Sequence, residues 1–464
     1  MIFSSYKFIF LFLPIVLIGY LLLKKTKNAP LVKLWLVISS LVFYSWGQVE
    51  FLPVFVFSLL SNYLFIKIID KAKRKSVRVL FLILGVVESL SVLLYFKYFN
   101  FALSTVNTLA HTDFTLKNII LPLGISFYTF QIMTYLIDVF RKTAEVRPLL
   151  DYLVYITFFP QLIVGPIVRH DEFLPQLEND AFLHSKPDFA RAILLFSIGC
   201  GKKILIADPL IEFALTYYGT PSASPIHAWT ATIAYTLAYY FDFSGYGDMA
   251  LGLGKAFGID LPFNFNSPYK SRNMADFWRR WNISVSKFFD DYVFRSVFTF
   301  GDRQLKLVFA TILTFTLSGL WHGAGWNFVL WGVVNGILVS LVNLLTVHRI
   351  KFPSIIAFPL TSISILLTRV LFDSSGISEI VKTYRLMFSP IGEIFSQIPS
   401  FVSDNARYIC LIILGSIICL FFKNTKEMCE NFCPTLKTAL WCALILALSL
   451  SRMGEVSRFL YFNF

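Results

Sequence analysis

The chain has 464 residues, 56% of them hydrophobic and only 15% charged, with a mean hydropathy of +0.67. Soluble domains are about one quarter charged, so this composition excludes a soluble globular enzyme and points to an all-α, polytopic membrane protein. The formal charge of +13 does not indicate nucleic acid in so apolar a chain, because basic loops at an anionic membrane face account for it.

The first apolar run, Phe8 to Leu23, follows Lys7 and is closed by Lys24, Lys25 and Lys27. No small-x-small cleavage site follows, so it reads as a retained first span. Further runs lie near 34–46, 51–69, 79–96, 119–140, 152–168, 190–217, 228–241, 305–320, 326–347, 354–372, 407–422 and 438–450. Several fall short of the roughly 20 residues a straight crossing needs. The expectation is therefore about ten to thirteen transmembrane or re-entrant elements in one membrane domain over 1–464, without internal repeats. "KIIDKAKRKSVR" (67–78) holds six Lys or Arg against one Asp, which assigns it to the cytoplasm and the N-terminus to the outside. Lys202 and Lys203 read as span-end anchors.

Asp242 and Asp248, in "YYFDFSGYGDMALG", are carboxylates in or beside a span, and such groups face a protein interior or a cavity. The largest polar interruption covers 264–306. Within it "MADFWRRWNISVSKFFDDYVF" puts Trp278, Trp281, Val285, Phe288 and Tyr292 on one face at helical spacing. That pattern predicts an amphipathic helix, on the cytoplasmic side, lying against the membrane or other helices. Two roles fit Arg279 and Arg280: contact with donor phosphates, or snorkelling to the interface. Arg169 and His170 carry the same ambiguity.

From 307 to 348 the chain has no Asp, Glu, Lys or Arg, and these 42 residues suit a hairpin of two spans. The 16 steps from Lys306 to His322 rise roughly 24 Å in a helix. His322 then lies past the middle of a hydrocarbon core about 30 Å thick. Gly319, Gly323 and Gly325 beside it permit close packing or a broken helix. A histidine at that depth either satisfies hydrogen bonds between helices or does chemistry. None of His111, His170, His184, His227 and His348 forms an HxxxH or HExxH pair with it, and the six cysteines show no metal-ligand spacing. No metal and no bound cofactor are expected. A GxSxG elbow is also missing.

The blocks "MIFSSYKFIFLFLPI", "GPIVRHDEFLPQL", "DFSGYGDMALGLGKAFGIDLPFNFNSPYKSRNMADFWRRWNISVSKFFDDYVF" and "LSGLWHGAGWNFVLWG" resemble the membrane-bound O-acyltransferase superfamily. The likeness is to its bacterial type, which includes alginate and peptidoglycan O-acetyltransferases. The resemblance implies helices around a central channel in a bacterial cytoplasmic membrane. It also implies a donor thioester on the cytoplasmic side, acetyl-CoA or a carrier-protein thioester, and a cell-envelope glycan or an extracytoplasmic partner transferase as acceptor. Membrane lipids are expected partners and nucleic acid is not. The superfamily's catalytic histidine falls on His322 and its second polar position on Asn282. Arg279, Arg280 and Trp281 become candidate donor contacts, and Asp242, Asp248, Trp321 and Asn327 candidate channel-lining residues. Bacterial relatives usually carry histidine at the position of Asn282 and often at that of Asn335, so the acceptor is left open.

Acyl transfer from a thioester to a hydroxyl requires a base for the hydroxyl proton and donors for the oxyanion. An imidazole neutral at pH 7 can be that base. An asparagine cannot, but its amide can orient a hydroxyl or hold developing charge. Two other classes compete: a multispanning transporter or flippase of an envelope precursor, suggested by the intramembrane Asp242 and His322, and a passive scaffold. Against the transporter, no matching pair of broken segments occurs in two halves of the chain.

Overall fold

Without water, a backbone N–H in a bilayer must find its partner within its own segment, which makes helices of long apolar runs. The computed structural model describes residues 1–217, 224–389, 392–454 and 460, and among them all regular structure is helical. Six described helices are long and apolar enough to cross a membrane: Phe8–Lys25, Val49–Lys71, Lys75–Ala110, Gln304–His322, Trp326–Val347 and Ser354–Asp373. The pair Ile398–Asp404 and Ala406–Phe421, bent by 88°, forms either a broken seventh span or a re-entrant loop. The remaining apolar runs fold as shorter or less apolar helices.

The chain divides into two units, Met1–Phe196 with Tyr246–Pro262, and Ser197–Gly245 with Phe263–Phe464. In the first, α1 (Leu13–Lys25) packs on α2 (Ala29–Ser45). The close approach depends on Gly19, where a Cβ would stand 2.5 Å from the Trp35 ring. Asn28 caps α2 by accepting the Leu31 N–H at 3.1 Å, and Pro30 occupies its first turn. Next come α3 (Leu52–Lys71), α4 (Lys75–Leu93) and α5 (Ile125–Arg141). Between α3 and α4 the Glu88 carboxylate accepts from Ser58 Oγ at 3.0 Å and from Asn62 Nδ2, as a carboxylate at membrane depth requires. In the same unit the rings of Phe8, Phe12, Phe43, Phe159 and Phe257 interlock, with Phe12 and Phe159 edge-on at 5.4 Å.

The helix α6 (Pro225–Phe257) contributes residues to both units. In the second unit Lys203 is 2% exposed and pairs with Asp208 and Asp242, each at 2.7 Å. It is therefore not the interfacial anchor its neighbours suggest. The π-helical segment Gly201–Ala207 carries Lys203 inward, and two carboxylates hold it there. Lys202 donates instead to Thr425 Oγ1 at 2.8 Å.

A second correction concerns 274–294, which is not one amphipathic helix. It folds as α7 (Met274–Arg280) and α8 (Ile283–Phe289), followed by a π turn, Asp290–Phe294. The break is at Asn282, whose φ of 45° and ψ of 56° are left-handed. Asparagine is one of the few residues that enters this region readily. Of the expected apolar set, Trp281, Val285 and Phe288 are nonetheless buried, while Trp278 and Tyr292 are half-buried.

The hairpin expected between Lys306 and Arg349 is present as α9 (Gln304–His322) and α10 (Trp326–Val347). Small residues bring the two backbones together: a Cβ on Gly319 would meet Phe328 O at 2.2 Å, and one on Gly332 would meet Phe315 O at 2.4 Å. Gly332 and Gly336 form a small-xxx-small pair of the kind that packs membrane helices. The helix ends at His322 because Gly323 turns to φ −154°, ψ 152°, with the Phe328 ring 2.0 Å from where its Cβ would stand. The next helix, α11, is Ser354–Asp373.

Candidate active site

The break at Asn282 frees a side chain. Asn282 occupies the N-cap position of α8 but makes no capping hydrogen bond. Asn264 serves the helix start instead, its carbonyl accepting from Ile283 N–H and its Oδ1 from Ser284 N–H, both at 3.0 Å. Ser286 Oγ locks the corner by donating to Trp278 O at 3.0 Å. The Asn282 side chain is left buried, its Oδ1 without a hydrogen-bond partner among the described residues. A buried amide carbonyl without a partner is costly, and native folds retain few.

That side chain lines a cavity of about 760 Å³. One wall is a stripe of α9, Leu307, Thr311, Thr314, Ser318 and His322, which recur at helical spacing. Its 15 steps rise about 22 Å, so the cavity follows nearly the whole length of the helix. Val339, Asn343 and Thr346 of α10 complete that side, and Arg279, Trp281, Asn282 and Lys287 come from α7, α8 and the corner between them. Thr311 and Thr314 bond their hydroxyls to Leu307 O and Ala310 O at 2.8 and 2.7 Å, leaving methyl groups as wall. The result is a mainly apolar groove with few polar groups, as small-molecule sites are built.

His322 is 8% exposed and held among three rings, with centroids of Trp321, Trp331 and Phe372 at 4.8, 5.4 and 5.3 Å. It also lines a second cavity of about 40 Å³, shared with Tyr239, Trp281, Arg369 and Phe372. That volume holds a water or a small polar group. At its edge Arg369 lies 3.6 Å from the Tyr239 ring centroid and pairs with Asp373 through Nε at 2.6 Å. Burial holds the Tyr269 phenol well above its ordinary value, so it stays protonated and donates to Thr236 O at 2.7 Å. The Arg369–Asp373 pair escaped the sequence reading. Its signal was opposite charges four residues apart within an apolar run.

His322, Asn282, Arg279 and Trp281 thus share one cavity. Trp281 is buried and stacks on Phe277 at 5.5 Å, while Arg279 is exposed. Arg280 does not line the cavity: it pairs with Asp276 at 3.0 Å and reaches Asn266 O at 3.4 Å. Asp242 is engaged by Lys203 and by the Leu460 N–H at 3.0 Å. Trp321 packs on His322, and Asn327 donates to Ser374 O at 2.8 Å. Asp248 is buried in the first unit, where His170 and Arg169 also meet Asp138 at 2.9 and 3.6 Å. Asn335 is buried within α10 and donates to Trp331 O at 2.9 Å. Among the described residues no cluster of three His, Cys, Asp or Glu could hold a metal ion.

The model of the MBOAT, or membrane-bound O-acyltransferase, family matches residues 92–355. The chain is 35% identical over 515 aligned positions to a peptidoglycan O-acetyltransferase of Helicobacter pylori, covering 100% of this chain and 98% of that protein. It is 36% identical over 399 positions to a protein of Pseudomonas aeruginosa named "Probable alginate O-acetylase AlgI", covering 84% and 75%. A teichoic acid D-alanyltransferase of Bacillus subtilis is 32% identical over 241 positions, covering 49% and 60%.

Proposed function

Because the chain belongs to the membrane-bound O-acyltransferase family, we propose that it moves an acetyl group from a thioester donor to a hydroxyl of a cell-envelope glycan, or to a partner transferase that acylates the glycan. It is a multi-pass membrane acyltransferase, which sets aside the transporter and scaffold alternatives. Acetyl and glycan are taken from the names of the two relatives it covers most fully. The observation that carries the mechanism is one groove along α9 that has His322 at its end and Asn282 in its wall.

In this reading the thioester, acetyl-CoA or a carrier-protein thioester, threads the groove from the end where Leu307, Thr346 and Val347 lie. The adjoining basic residues Lys306 and Arg349 support a cytoplasmic face at that end. Arg279 and Lys287, on the groove wall, meet the donor's anionic part. His322 takes the proton of the acceptor hydroxyl, and the oxygen attacks the thioester carbonyl. The Asn282 amide N–H holds the developing oxyanion. The C–S bond then breaks, and the imidazolium returns the proton to the departing thiolate.

Thioester turnover by purified protein in proteoliposomes tests this. His322→Ala should lose about two to four orders of magnitude of activity while inserting and purifying as the wild type does. Wild-type activity should fall on acidification through one protonation, and that limb should vanish from the residual activity of His322→Ala. A retained limb would assign the base to another group.

A further inference from the structure

The helices α3 and α4 are consecutive membrane-length elements joined only by residues 72–74, and so short a turn between two spans sits at the membrane surface. A cavity of about 470 Å³ opens there, lined by Lys73, Lys75, Arg78, Arg141 and Lys142 against one carboxylate, Asp70. Arg78 is part of its frame. Its Nε donates to Ile69 O at 3.2 Å and its Nη2 to Phe140 O at 2.6 Å, so one guanidinium ties the C-terminal ends of α3 and α5 to the first turn of α4. Those two helix ends bring roughly half a negative charge each, and the start of α4 returns roughly half a positive one. The cations outweigh this together with Asp70. Lys73, Lys75 and Lys142 form no ion pair among the described residues.

Beyond Arg78 the outer face of α4 is apolar: Leu80, Ile83, Leu84 and Val87 are between 41% and 53% exposed. Their spacing makes one continuous stripe. That stripe lies on the side of α4 away from Lys75 and Arg78 and faces the bilayer, while the cationic cavity at headgroup height suits the head of an anionic lipid. Basic pockets between membrane helices take such heads, and a guanidinium with several ammonium groups suits phosphate. We propose that this cavity is a binding site for the head of an anionic glycerophospholipid, with its phosphate among Lys73, Lys75 and Lys142. Its place at the end of two membrane-length helices, at the level of the lipid heads, favours a lipid over a soluble phosphate compound. This inference does not depend on the catalytic reading of His322.

The full-length protein in detergent, titrated with phosphatidylglycerol or phosphatidylcholine and followed by native mass spectrometry, decides the matter. Phosphatidylglycerol should remain bound as a discrete one-to-one adduct and phosphatidylcholine should not. Each lysine changed to glutamine should weaken the adduct about fivefold, and Lys73→Gln, Lys75→Gln and Lys142→Gln together by about a hundredfold. The corresponding triple change to arginine should bind as the wild type does, which separates loss of charge from loss of fold. Equal retention of both lipids, or equal retention by the wild type and the glutamine triple, overturns the site. Displacement of phosphatidylglycerol by inorganic pyrophosphate at constant ionic strength would overturn the lipid assignment in favour of a soluble phosphate ligand.

Discussion

Asn282 offers a test in which chemistry and backbone can be separated, because it has two independent reasons to be where it is. Its φ of 45° suits asparagine or glycine, and the proposed oxyanion contact needs its amide Nδ2–H. Replacement by glycine removes the amide and keeps the left-handed turn without strain. Replacement by alanine removes the same amide and adds about 1–2 kcal/mol of conformational cost. Loss of one preorganised oxyanion donor lowers turnover by about two to three orders of magnitude. Both variants should therefore lose acyl transfer to that extent, and only Asn282→Ala should also unfold earlier, by about 2 °C. The assay is ester-linked acetate released by mild base from the envelope glycans of complemented cells, normalised to membrane protein, beside thermal unfolding in detergent. If Asn282→Gly transfers acetyl within about threefold of the wild type, the residue is there for the turn alone and the oxyanion role fails.

The two neighbouring arginines should part company. Arg279→Glu should raise the donor KM about tenfold or more, if the loss of one charge-assisted hydrogen bond is worth roughly 1.5–3 kcal/mol, whereas Arg280→Gln, which releases Asp276 and Asn266 O outside the cavity, should leave KM unchanged; equal effects would refute the division. Asp373→Ala leaves the Arg369 guanidinium, whose side chain is 11% exposed, buried without its carboxylate. Stability should drop by about 3–5 kcal/mol, and an unchanged unfolding midpoint would count against the pair. Single cysteines introduced within 67–78 should resist a membrane-impermeant thiol reagent in intact cells, and strong labelling from outside would reverse the orientation.

The hairpin was legible because its evidence is local: a charge-free stretch of the right length, bounded by Lys306 and Arg349, with glycines at its bend. His322 stood out for the same reason, as an ionisable group in a run without others. The break at Asn282 was not legible, because apolar spacing continued across it and a single left-handed residue leaves no periodic trace. The partners of Lys203 were hidden as well. Asp208 is five residues away across a π segment, and Asp242 is 39 positions along the chain, so only the tertiary fold turns an apparent surface lysine into a core one. Arg369 and Asp373 were present in the sequence at ion-pair spacing, but an arginine near the end of an apolar run reads as interfacial until Tyr239 is seen beneath it.

Three side chains, Trp278, Trp281 and His322, belong to the walls of both the long groove and the small cavity beside it. They form a septum one ring thick. In a membrane that holds an ion gradient, a groove proposed to pass an acyl group must not let protons or sodium follow. Two indoles and the imidazole wall the groove off from the small cavity, so the residue proposed to move the proton would also be part of a seal. Shortening His322 would then open a shunt as well as stop the chemistry, and the conductance of liposomes carrying the alanine variant would register it independently of turnover.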